Sequence, residues 1–597
     1  MSWQAWLTLG VVIMAVAALA SERVSQPGTV MGAVTVLLLA RVIDAKSALS
    51  GFSNEAPFTI AALYVVAGAA QATGALQGVT SRVLGRPTRG MLRPGFKDTA
   101  RLLFPVATVS AFVYNTPLVS MLAPRVSSWA QRSGRPASWY LLSLNNAILL
   151  GGMMTAIGTT TNVVISGLLS ASQRHPLRLF EPSLAVLPLA LAGTVVMAWV
   201  GARLAGARVS PDQHFKADVR EYTVEMLVRP KGGLEGMTVE EAGLRDLVGV
   251  YLVAVLRDDA TIAPVSPELR LVSADRLVFA GNVARVLDLQ SNPGLQSAEA
   301  THFSVVESTV DRRFHEAVIA PGGSLVGRSL KQANFRIQFG GAVIAIHRSG
   351  ELVEGKLGSV TLHPADVLLV LAPPDFNTRW SGSGDFLLVA PIAGTPAPVN
   401  RRNARIVEVV VAAFLVCAAT GVLSVLQAAL VAALVLLVLG VVTPRQAQAS
   451  VNVNVLIVVC GSFGIGEAIG QSGLARHIAD LLISAFGPLG NRGILVGFLV
   501  STVLITQVVT NNAAAVLMYP VGLALAAHAH LLERPFVIAL VVGASASFLT
   551  PIGYQTNTIV YGMGGYKWKD FLRTGLPLTL LTVAIASLTI PLLFPLR

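Results

Sequence analysis

Ten apolar runs are the feature that most constrains this sequence. Each is long enough, or nearly long enough, to cross the hydrocarbon core of a bilayer as a helix. Charged residues make up only 13% of the chain, about half the share typical of a soluble domain. The sequence therefore predicts an α-helical polytopic membrane protein, with runs at 3–20, 29–43, 57–80, 137–170, 182–205, 406–421, 423–443, 453–485, 535–565 and 573–595.

Two further apolar stretches are interrupted by polar residues in the middle, at 102–124 and 493–525. Non-helical backbone survives at membrane depth only where protein or a cavity shields it from lipid. We therefore expect two re-entrant hairpins, one entering from each face of the membrane.

The two sets of runs repeat each other. Residues 48–74 align without gaps to residues 447–473, and an Ile-Gly-x-x-Thr-Asn motif at 157–162 recurs at 552–557. Five spans per half is an odd number, so the second half must enter from the opposite side. The sequence thus predicts two inverted repeats of five transmembrane helices plus one hairpin each, a plan of secondary transporters.

Basic residues suggest the orientation. The net charge is +12, and Lys and Arg cluster in the loops 82–101, 125–135 and 567–573. With the N-terminus outside, all three loops fall on the cytoplasmic side, as the positive-inside rule expects. We predict a multi-pass protein of the inner (plasma) membrane and no nucleic-acid partner. Four arginines fall on or near the outer face: Arg174, Arg178, Arg476 and Arg492.

Residues 207–403 are different, because they carry most of the acidic residues and contain no spanning run. Alternating apolar residues predict strands, so we expect a cytoplasmic α+β insert between the membrane repeats 1–206 and 404–597. The insert is itself duplicated at a spacing of 91 residues, which predicts modules at 207–298 and 299–403. The repeated residues are Gly236, Ala242, Gly249, Ala254, Arg257, Ala274 and Asp275, with partners Gly327, Ala333, Gly340, Ala345, Arg348, Ala365 and Asp366.

Four short polar pieces carry the candidate chemistry: the two hairpin tips and the two Gly-containing motifs that follow them. A buried amide or hydroxyl without a partner is costly, and a broken helix presents free N–H groups or free carbonyls. Polar glue between helices is the alternative interpretation, but two symmetric pairs favour a binding site. The predicted substrate-binding residues are Asn115, Thr116, Thr161, Asn511, Asn512 and Thr556.

No Lys, Arg, Asp or Glu occurs in 102–124, 137–173, 493–525 or 535–566. An anionic solute would therefore need helix dipoles and co-bound cations to offset its charge. That combination predicts cation-driven symport. A lone acid, Glu467, lies inside a predicted span and is a functional candidate by default, whereas His528 and His530 lie toward a loop and are expected to be solvated.

The tips Tyr114-Asn115-Thr116 and Thr510-Asn511-Asn512 resemble the Ser-Asn-Thr hairpin motifs of the divalent anion/sodium symporter family, within the superfamily that includes citrate and arsenite carriers. The central Asn is kept in both tips, and the Ser is not. The resemblance implies two sodium sites completed by the Gly motifs. By position the sodium ligands would be Asn115, Gly158, Asn162, Asn511, Gly553 and Asn557.

The insert resembles two TrkA C-terminal (RCK-C) domains through its Gly…Ala…Arg…Ala-Asp pattern at 236–275 and 327–366. Symporters with such paired inserts are similar to bacterial and algal sulfate carriers. The resemblance implies sodium-coupled symport of a small divalent anion such as sulfate, a homodimer, and a small regulatory ligand or an inert dimer contact at the insert.

Three alternatives stay open. A dicarboxylate or citrate symporter, or a proton-coupled antiporter, would use the same fold. A potassium-uptake subunit would fit the insert, but no Thr-Val-Gly-Tyr-Gly filter is present. A ligand sensor would not need both halves of the site. An enzyme is not expected, because the sequence offers no nucleophile–base set, metal cluster or phosphate loop.

Overall fold

The computed structural model divides the chain into two compact units. One unit joins Met1–Arg208 to Pro396–Arg597, and the other is Val209–Thr395. The structure describes residues 1–21, 24–75, 94–208, 223–229, 233–244, 250–257, 260–262, 265–281, 295–297, 313–348, 351–353, 357–373, 376–380, 383–391 and 401–597.

The first unit is helical throughout its described part. Its first half contains α1 (Trp3–Ser21), α2 (Gln26–Leu39), α3 (Ala45–Ala48), α4 (Glu55–Thr73), α5 (Phe96–Ser110), α6 (Asn115–Arg132), α7 (Ser138–Gly152), α8 (Thr160–Ala171) and α9 (Glu181–Ala205). Short helices of the second unit, α10 (Phe335–Phe339) and α11 (Phe376–Trp380), come next in chain order.

The second half of the helical unit begins, in its described part, at Arg401, inside the range predicted for the insert. It contains α12 (Arg401–Thr420), α13 (Val425–Val438), α14 (Pro444–Ser450), α15 (Val453–Gln471), α16 (Leu474–Phe486), α17 (Gly490–Ile505), α18 (Asn511–His528), α19 (Glu533–Ser545), α20 (Gln555–Gly564) and α21 (Trp568–Leu593).

Six helical segments of the described residues are long and apolar enough to cross a membrane: Glu55–Thr73, Glu181–Ala205, Arg402–Thr420, Val453–Gln471, Leu474–Ile505 and Trp568–Leu593. Further apolar helices are shorter, among them Thr160–Ala171 and Val425–Val438. Of these two, Thr160–Ala171 directly follows an interruption that the polar motifs predict.

Both interrupted stretches form helical hairpins, and each hairpin includes more residues at both ends than predicted. The first is α5 and α6 with a turn at 111–114, and the second is α17 and α18 with a turn at 506–510. The runs 137–170 and 535–565 are each broken, at 153–159 and 546–554. The run 453–485 was predicted as one span but is two helices, because Gly473 adopts a left-handed conformation (φ 79°). The loop arginines Arg82, Arg86, Arg89 and Arg93 lie outside the described residues.

Contacts at one end of the bundle join both halves. The Tyr566 hydroxyl donates to the Ser138 carbonyl at 2.5 Å, and the Arg208 N–H donates to Ser138 Oγ at 2.9 Å. The Arg208 guanidinium pairs with the buried carboxylate of Asp570 at 2.8 Å, a hydrogen bond that raises the pKa of Arg208. We call this end, defined by these four residues, the Ser138 face.

Two ion pairs join the halves at the other end. Arg174 pairs with Glu533, and Arg534 pairs with Glu181, so each half contributes one arginine and one glutamate. We call this end, defined by these four residues, the Glu533 face.

Counterpart helices of the two halves run in opposite directions between these faces. The α7–α8 segment runs from the Ser138 face to the Glu533 face, and α19–α20 runs back. Helix α9 begins beside Arg534 and leads to Arg208. Helix α21 has Asp570 in its first turn and leads to Leu596, whose carbonyl accepts from the Leu532 N–H at 2.9 Å.

The described residues of the second unit form two five-stranded antiparallel sheets. The first has the order β3-β2-β4-β1-β5 and the second β10-β6-β9-β7-β8. The strands are β1 (Thr223–Val228), β2 (Val250–Arg257), β3 (Ala260–Ile262), β4 (Arg276–Gly281), β5 (Leu295–Ser297), β6 (Arg313–Ile319), β7 (Ala342–Arg348), β8 (Glu351–Leu352), β9 (Val367–Ala372) and β10 (Phe386–Pro391).

Each of the two sheets contains an Arg–Asp ion pair at the equivalent position. Arg257 binds both carboxylate oxygens of Asp275 at 2.8 Å, and Arg348 binds both of Asp366 at 2.8 Å. Both aspartates are buried, and each follows an alanine with positive φ. The ion pair therefore stabilises the strained turn at this alanine. This explains why Ala, Asp and Arg recur together in the two modules. Of the repeated residues, Gly249 lies outside the described part of the chain.

Candidate functional site

Four helix N-termini carry the candidate site. Asn115 begins α6, Thr160 begins α8, Asn511 begins α18, and Gln555 begins α20 directly after Tyr554. The first turn of each helix has N–H groups without partners inside the helix, and the aligned peptide dipoles place partial positive charge there. Each of these ends is a potential anion-binding element.

The two hairpin tips are held in the same way. The Ser110 hydroxyl lies 2.9 Å from Asn115 Oδ1 and 2.7 Å from the Ile148 carbonyl oxygen, so its one hydrogen is shared between two acceptors. In the second half, the Thr506 hydroxyl lies in the same way 2.9 Å from Asn511 Oδ1 and 2.7 Å from the Ala544 carbonyl oxygen. Each tip Asn is thereby fixed against the helix that precedes the break. A Cβ on Gly152 would collide with Asn115 Oδ1, so this glycine is needed at the first tip.

The two breaks also share their internal contacts. Asn162 Nδ2 donates to the Thr155 carbonyl at 2.7 Å, and Asn557 Nδ2 donates to the Thr550 carbonyl at 2.8 Å. Gly158 and Gly553 each donate a backbone N–H to the hydroxyl of the same threonines, at 3.0 and 3.2 Å.

Contacts between the halves bring the four N-termini together. The hydroxyls of Thr160 and Thr161 donate to Asn512 Oδ1 at 3.2 and 3.1 Å. The Tyr554 hydroxyl lies near the side chains of Thr159, Asn115, Thr116 and Thr160. Thr160 therefore connects the second hairpin tip to Tyr554, and Tyr554 connects to the first tip.

The structure brings together most of the predicted substrate-binding residues. Asn115, Thr116, Thr161 and Asn512 take part in the contacts above, and Asn511 begins the same helix turn as Asn512. Thr556 is fully buried on the first turn of α20, and its hydroxyl has no hydrogen-bond partner among the described residues.

The site is uncharged, since the stretches that form it contain no Lys, Arg, Asp or Glu. Its polar groups are amides, hydroxyls and backbone N–H groups in a buried environment. Such groups stabilise an anion by hydrogen bonds and dipoles, which act strongly where water is excluded. They also supply neutral oxygens to a co-bound cation.

The predicted sodium ligands fit such a cation in the first half. Asn162 Oδ1 is fully buried and has no hydrogen-bond partner among the described residues, so it is an oxygen free to bind a hard cation. The equivalent Asn557 Oδ1 accepts from Asn145 Nδ2 at 2.6 Å. Asn162, with Asn115 and backbone oxygens near Gly158, therefore fits sodium better than the second-half set of Asn511, Gly553 and Asn557.

Sequence analysis missed Thr160, Tyr554 and Asn145. Thr160 stands in a run of three threonines, and only the position shared with the second half was chosen. Tyr554 and Asn145 have no like residue at the matching position of the other half, so the repeat gave no signal for them. Their roles come from contacts between the halves.

Glu467 and the two histidines lie apart from these contacts. The Glu467 side chain is exposed and accepts from Gln471 Nε2 at 3.3 Å. His528 Nδ1 lies 2.9 Å from the exposed carboxylate of Asp480, and His530 occupies a turn with φ 52°.

Comparisons with known proteins show which proteins the chain is similar to. A family model described as "Citrate transporter" (CitMHS) matches residues 16–533 and 415–597. The chain is 33% identical to the "Putative sulfur deprivation response regulator" of Chlamydomonas reinhardtii over 94% of this chain and 96% of that protein. It is 27% identical to an uncharacterized transporter of Synechocystis sp., covering 99% and 97%. "Sodium/sulfate cotransporter 1" of Chlamydomonas reinhardtii is 22% identical, covering 98% and 89%.

Proposed function

The chain belongs to the citrate transporter family, and we propose that it is a secondary active transporter that carries a small divalent oxyanion, such as sulfate, together with sodium ions. It is a transporter rather than an enzyme, and the prediction of a multi-pass membrane protein is confirmed by its relatives and its apolar helices.

Convergence of four helix N-termini at an uncharged, buried centre is the observation that carries the proposal. Thr160 and Thr161 bind Asn512 across the halves, and Tyr554 reaches the first tip. An anion placed there would accept hydrogen bonds from both halves at once. The stretches that form the site contain no Lys or Arg that would retain the anion. The site would therefore release its solute when the co-bound ions leave.

Opposite directions of the counterpart helices support an inverted-repeat topology. In such a plan the solute site lies near mid-membrane, and one bundle moves against the other to open the site to each side in turn. The hairpins α5–α6 and α17–α18 would be re-entrant. The Ser138 face carries Arg208 and leads into the insert, so we assign it, with the insert, to the cytoplasmic side of the plasma membrane.

Sodium coupling follows from the solute's charge. Two negative charges at a neutral site need compensation beyond helix dipoles. When bound, sodium would supply that positive charge, held in the first half by Asn162, Asn115 and backbone oxygens near Gly158. The contacts of Thr155 position those oxygens. Its hydroxyl accepts from the Gly158 N–H and its carbonyl accepts from Asn162 Nδ2, and both contacts stabilise the non-helical break beside the tip.

Sulfate is favoured over a carboxylate by one comparison, since the match to the relative named as a sodium/sulfate cotransporter spans nearly the whole chain. A dicarboxylate or citrate is the second candidate, because the family model is named for citrate.

The insert remains assigned to two TrkA-C-like modules on the basis of its duplicated sheets and their shared Arg–Asp pair. We propose that it contributes to a homodimer and binds a small regulatory ligand.

Uptake by reconstituted vesicles tests the function. Purified protein is supplied with labelled sulfate, phosphate, succinate or citrate, with an inward sodium gradient or with equal sodium on both sides. We expect concentrative sulfate uptake only with the gradient. Uptake that is independent of every cation gradient would remove the symport proposal, and a preference for citrate would select the second candidate.

A further inference from the structure

Tyr554 is the one large side chain among the cross-half contacts of the site. It lies in the extended residue before α20 (φ −150°, ψ 146°) and is only 8% exposed. Although it belongs to the second half, its hydroxyl lies near the side chains of Thr159, Asn115, Thr116 and Thr160 in the first half. Its phenol therefore lies beside the first tip, on the side of the opposite half.

The matching residue of the first half is smaller. The motif pairs Asn162 with Asn557, and the same offset pairs Tyr554 with Thr159. The two matching positions thus differ in size, with a phenol in the second half and a threonine in the first. They lie together, because Thr159 is itself a neighbour of the Tyr554 hydroxyl.

A second phenol flanks the same tip. Tyr114 immediately precedes Asn115, is 4% exposed, and has a hydroxyl with no hydrogen-bond partner among the described residues. Its ring packs edge-on against Tyr64, with centroids 5.6 Å apart. A buried hydroxyl without a partner is unfavourable, so a bound group that accepts its hydrogen bond would stabilise the site.

We propose that Tyr554 is the specificity-determining residue of the solute site. Its hydroxyl donates a hydrogen bond to a small oxyanion whose oxygens are all acceptors, and its ring fills the space that an elongated dicarboxylate would need. The inference rests on the proposed function, because it assumes an anionic solute at the helix N-termini. It deepens that function by naming a compact, fully deprotonated oxyanion as the solute class.

Two substitutions separate the hydroxyl from the ring. Tyr554→Phe keeps the ring and removes the donor, so the KM for sulfate should rise by about tenfold or more, as expected for loss of a hydrogen bond to a charged group, with little change in maximal rate. Tyr554→Thr copies the other half and opens space, so unlabelled succinate should then compete with labelled sulfate at concentrations that leave the wild type unaffected.

Tyr519→Phe is the matched control. It removes a buried phenolic hydroxyl from α18 about two turns beyond the tip, and sulfate uptake should keep its wild-type KM and solute preference. Gain of succinate competition cannot arise from misfolding, so Tyr554→Thr remains informative even where the Phe variant expresses poorly.

The outcomes are distinct. An unchanged sulfate KM in Tyr554→Phe, or the absence of succinate competition in Tyr554→Thr, overturns the inference. The proposed function still stands in either case, provided that the wild type takes up sulfate. Succinate uptake by the wild type also overturns it. A wild type that takes up neither anion under a sodium gradient removes the proposed function, and this inference with it.

Discussion

Thr160 of the first half donates a hydrogen bond to Asn512 of the second half at 3.2 Å. Both residues lie in the first turn of their helices, and both are at least 90% buried. The bond therefore joins the N-termini of α8 and α18 directly, across two segments separated by more than half of the chain.

We expect the substitutions Thr160→Val and Asn512→Ala to be non-additive. Asn512→Ala removes the acceptor of both Thr160 and Thr161, so it should reduce sulfate uptake more than Thr160→Val does. The double variant should behave like Asn512→Ala alone, with a coupling of about 1 kcal/mol between the two positions. Initial uptake rates at limiting sulfate measure this cycle, and strictly additive losses would contradict a direct contact in the working protein.

Sequence patterns predicted much of this site because the polar residues recur in apolar runs. Asn115 and Asn511 stand at matching positions where an isolated amide would be costly, so the repeat separates them from chance. The helix start at Asn115 and the breaks before Thr160 and Gln555 follow the same logic, since Gly and Asn favour helix ends.

Other parts could not be predicted because they depend on contacts between the halves. Tyr554 beside a glycine in an apolar run looks like an ordinary core aromatic. Asn145 has an apolar counterpart, Val541, so its bond to Asn557 appears only when α7 and α20 pack together. Hydropathy also could not divide 453–485, because the residues on both sides of Gly473 are equally able to form helix.

Gly152→Ala should damage the first tip without changing any polar group. A methyl group at this position would collide with Asn115 Oδ1, and the amide would have to leave its bond with Ser110. We expect sulfate uptake to fall by about tenfold or more, as for loss of a positioning hydrogen bond to a binding group. Gly10→Ala is the control, because a Cβ there meets no atom within 4 Å; equal losses in both variants would contradict the explanation.

Asn162→Ala should weaken sodium dependence. Its Oδ1 is a buried oxygen without a hydrogen-bond partner among the described residues, so its removal should raise the sodium concentration for half-maximal uptake severalfold. The sulfate KM at saturating sodium should change less. Sodium titration of sulfate uptake measures both quantities, and an unchanged sodium requirement would exclude Asn162 as a ligand.

Arg348→Ala should loosen the second module of the insert. The hydrogen bonds that Arg348 donates to Asp366 raise the pKa of Arg348, so the guanidinium is charged throughout the accessible pH range, and its loss leaves a buried carboxylate without its charged partner. Because Arg348 itself is partly exposed, we expect a modest loss of about 2 kcal/mol. Hydrogen exchange in β9 of the full-length protein should then be about 30-fold faster.

The exposed Arg328 of the same module provides the control for that measurement. Arg328→Ala should leave the exchange of β9 unchanged. Equal exchange rates in the Arg348→Ala variant and the wild type would mean that the Arg348–Asp366 pair does not support the sheet.

Equilibrium binding of labelled sulfate to the purified protein tests the central claim most directly, because it requires no transport. Asn115→Ala and Asn511→Ala each remove a tip amide, while Ser110 and Thr506 keep their bonds to the Ile148 and Ala544 carbonyls, so both variants should still fold. Asn146→Ala, a buried amide that faces Met197 instead of the site, is the control. We predict saturable, sodium-dependent binding in the wild type and the control, and its loss in both tip variants. Wild-type binding in both tip variants would contradict a solute site at the helix N-termini.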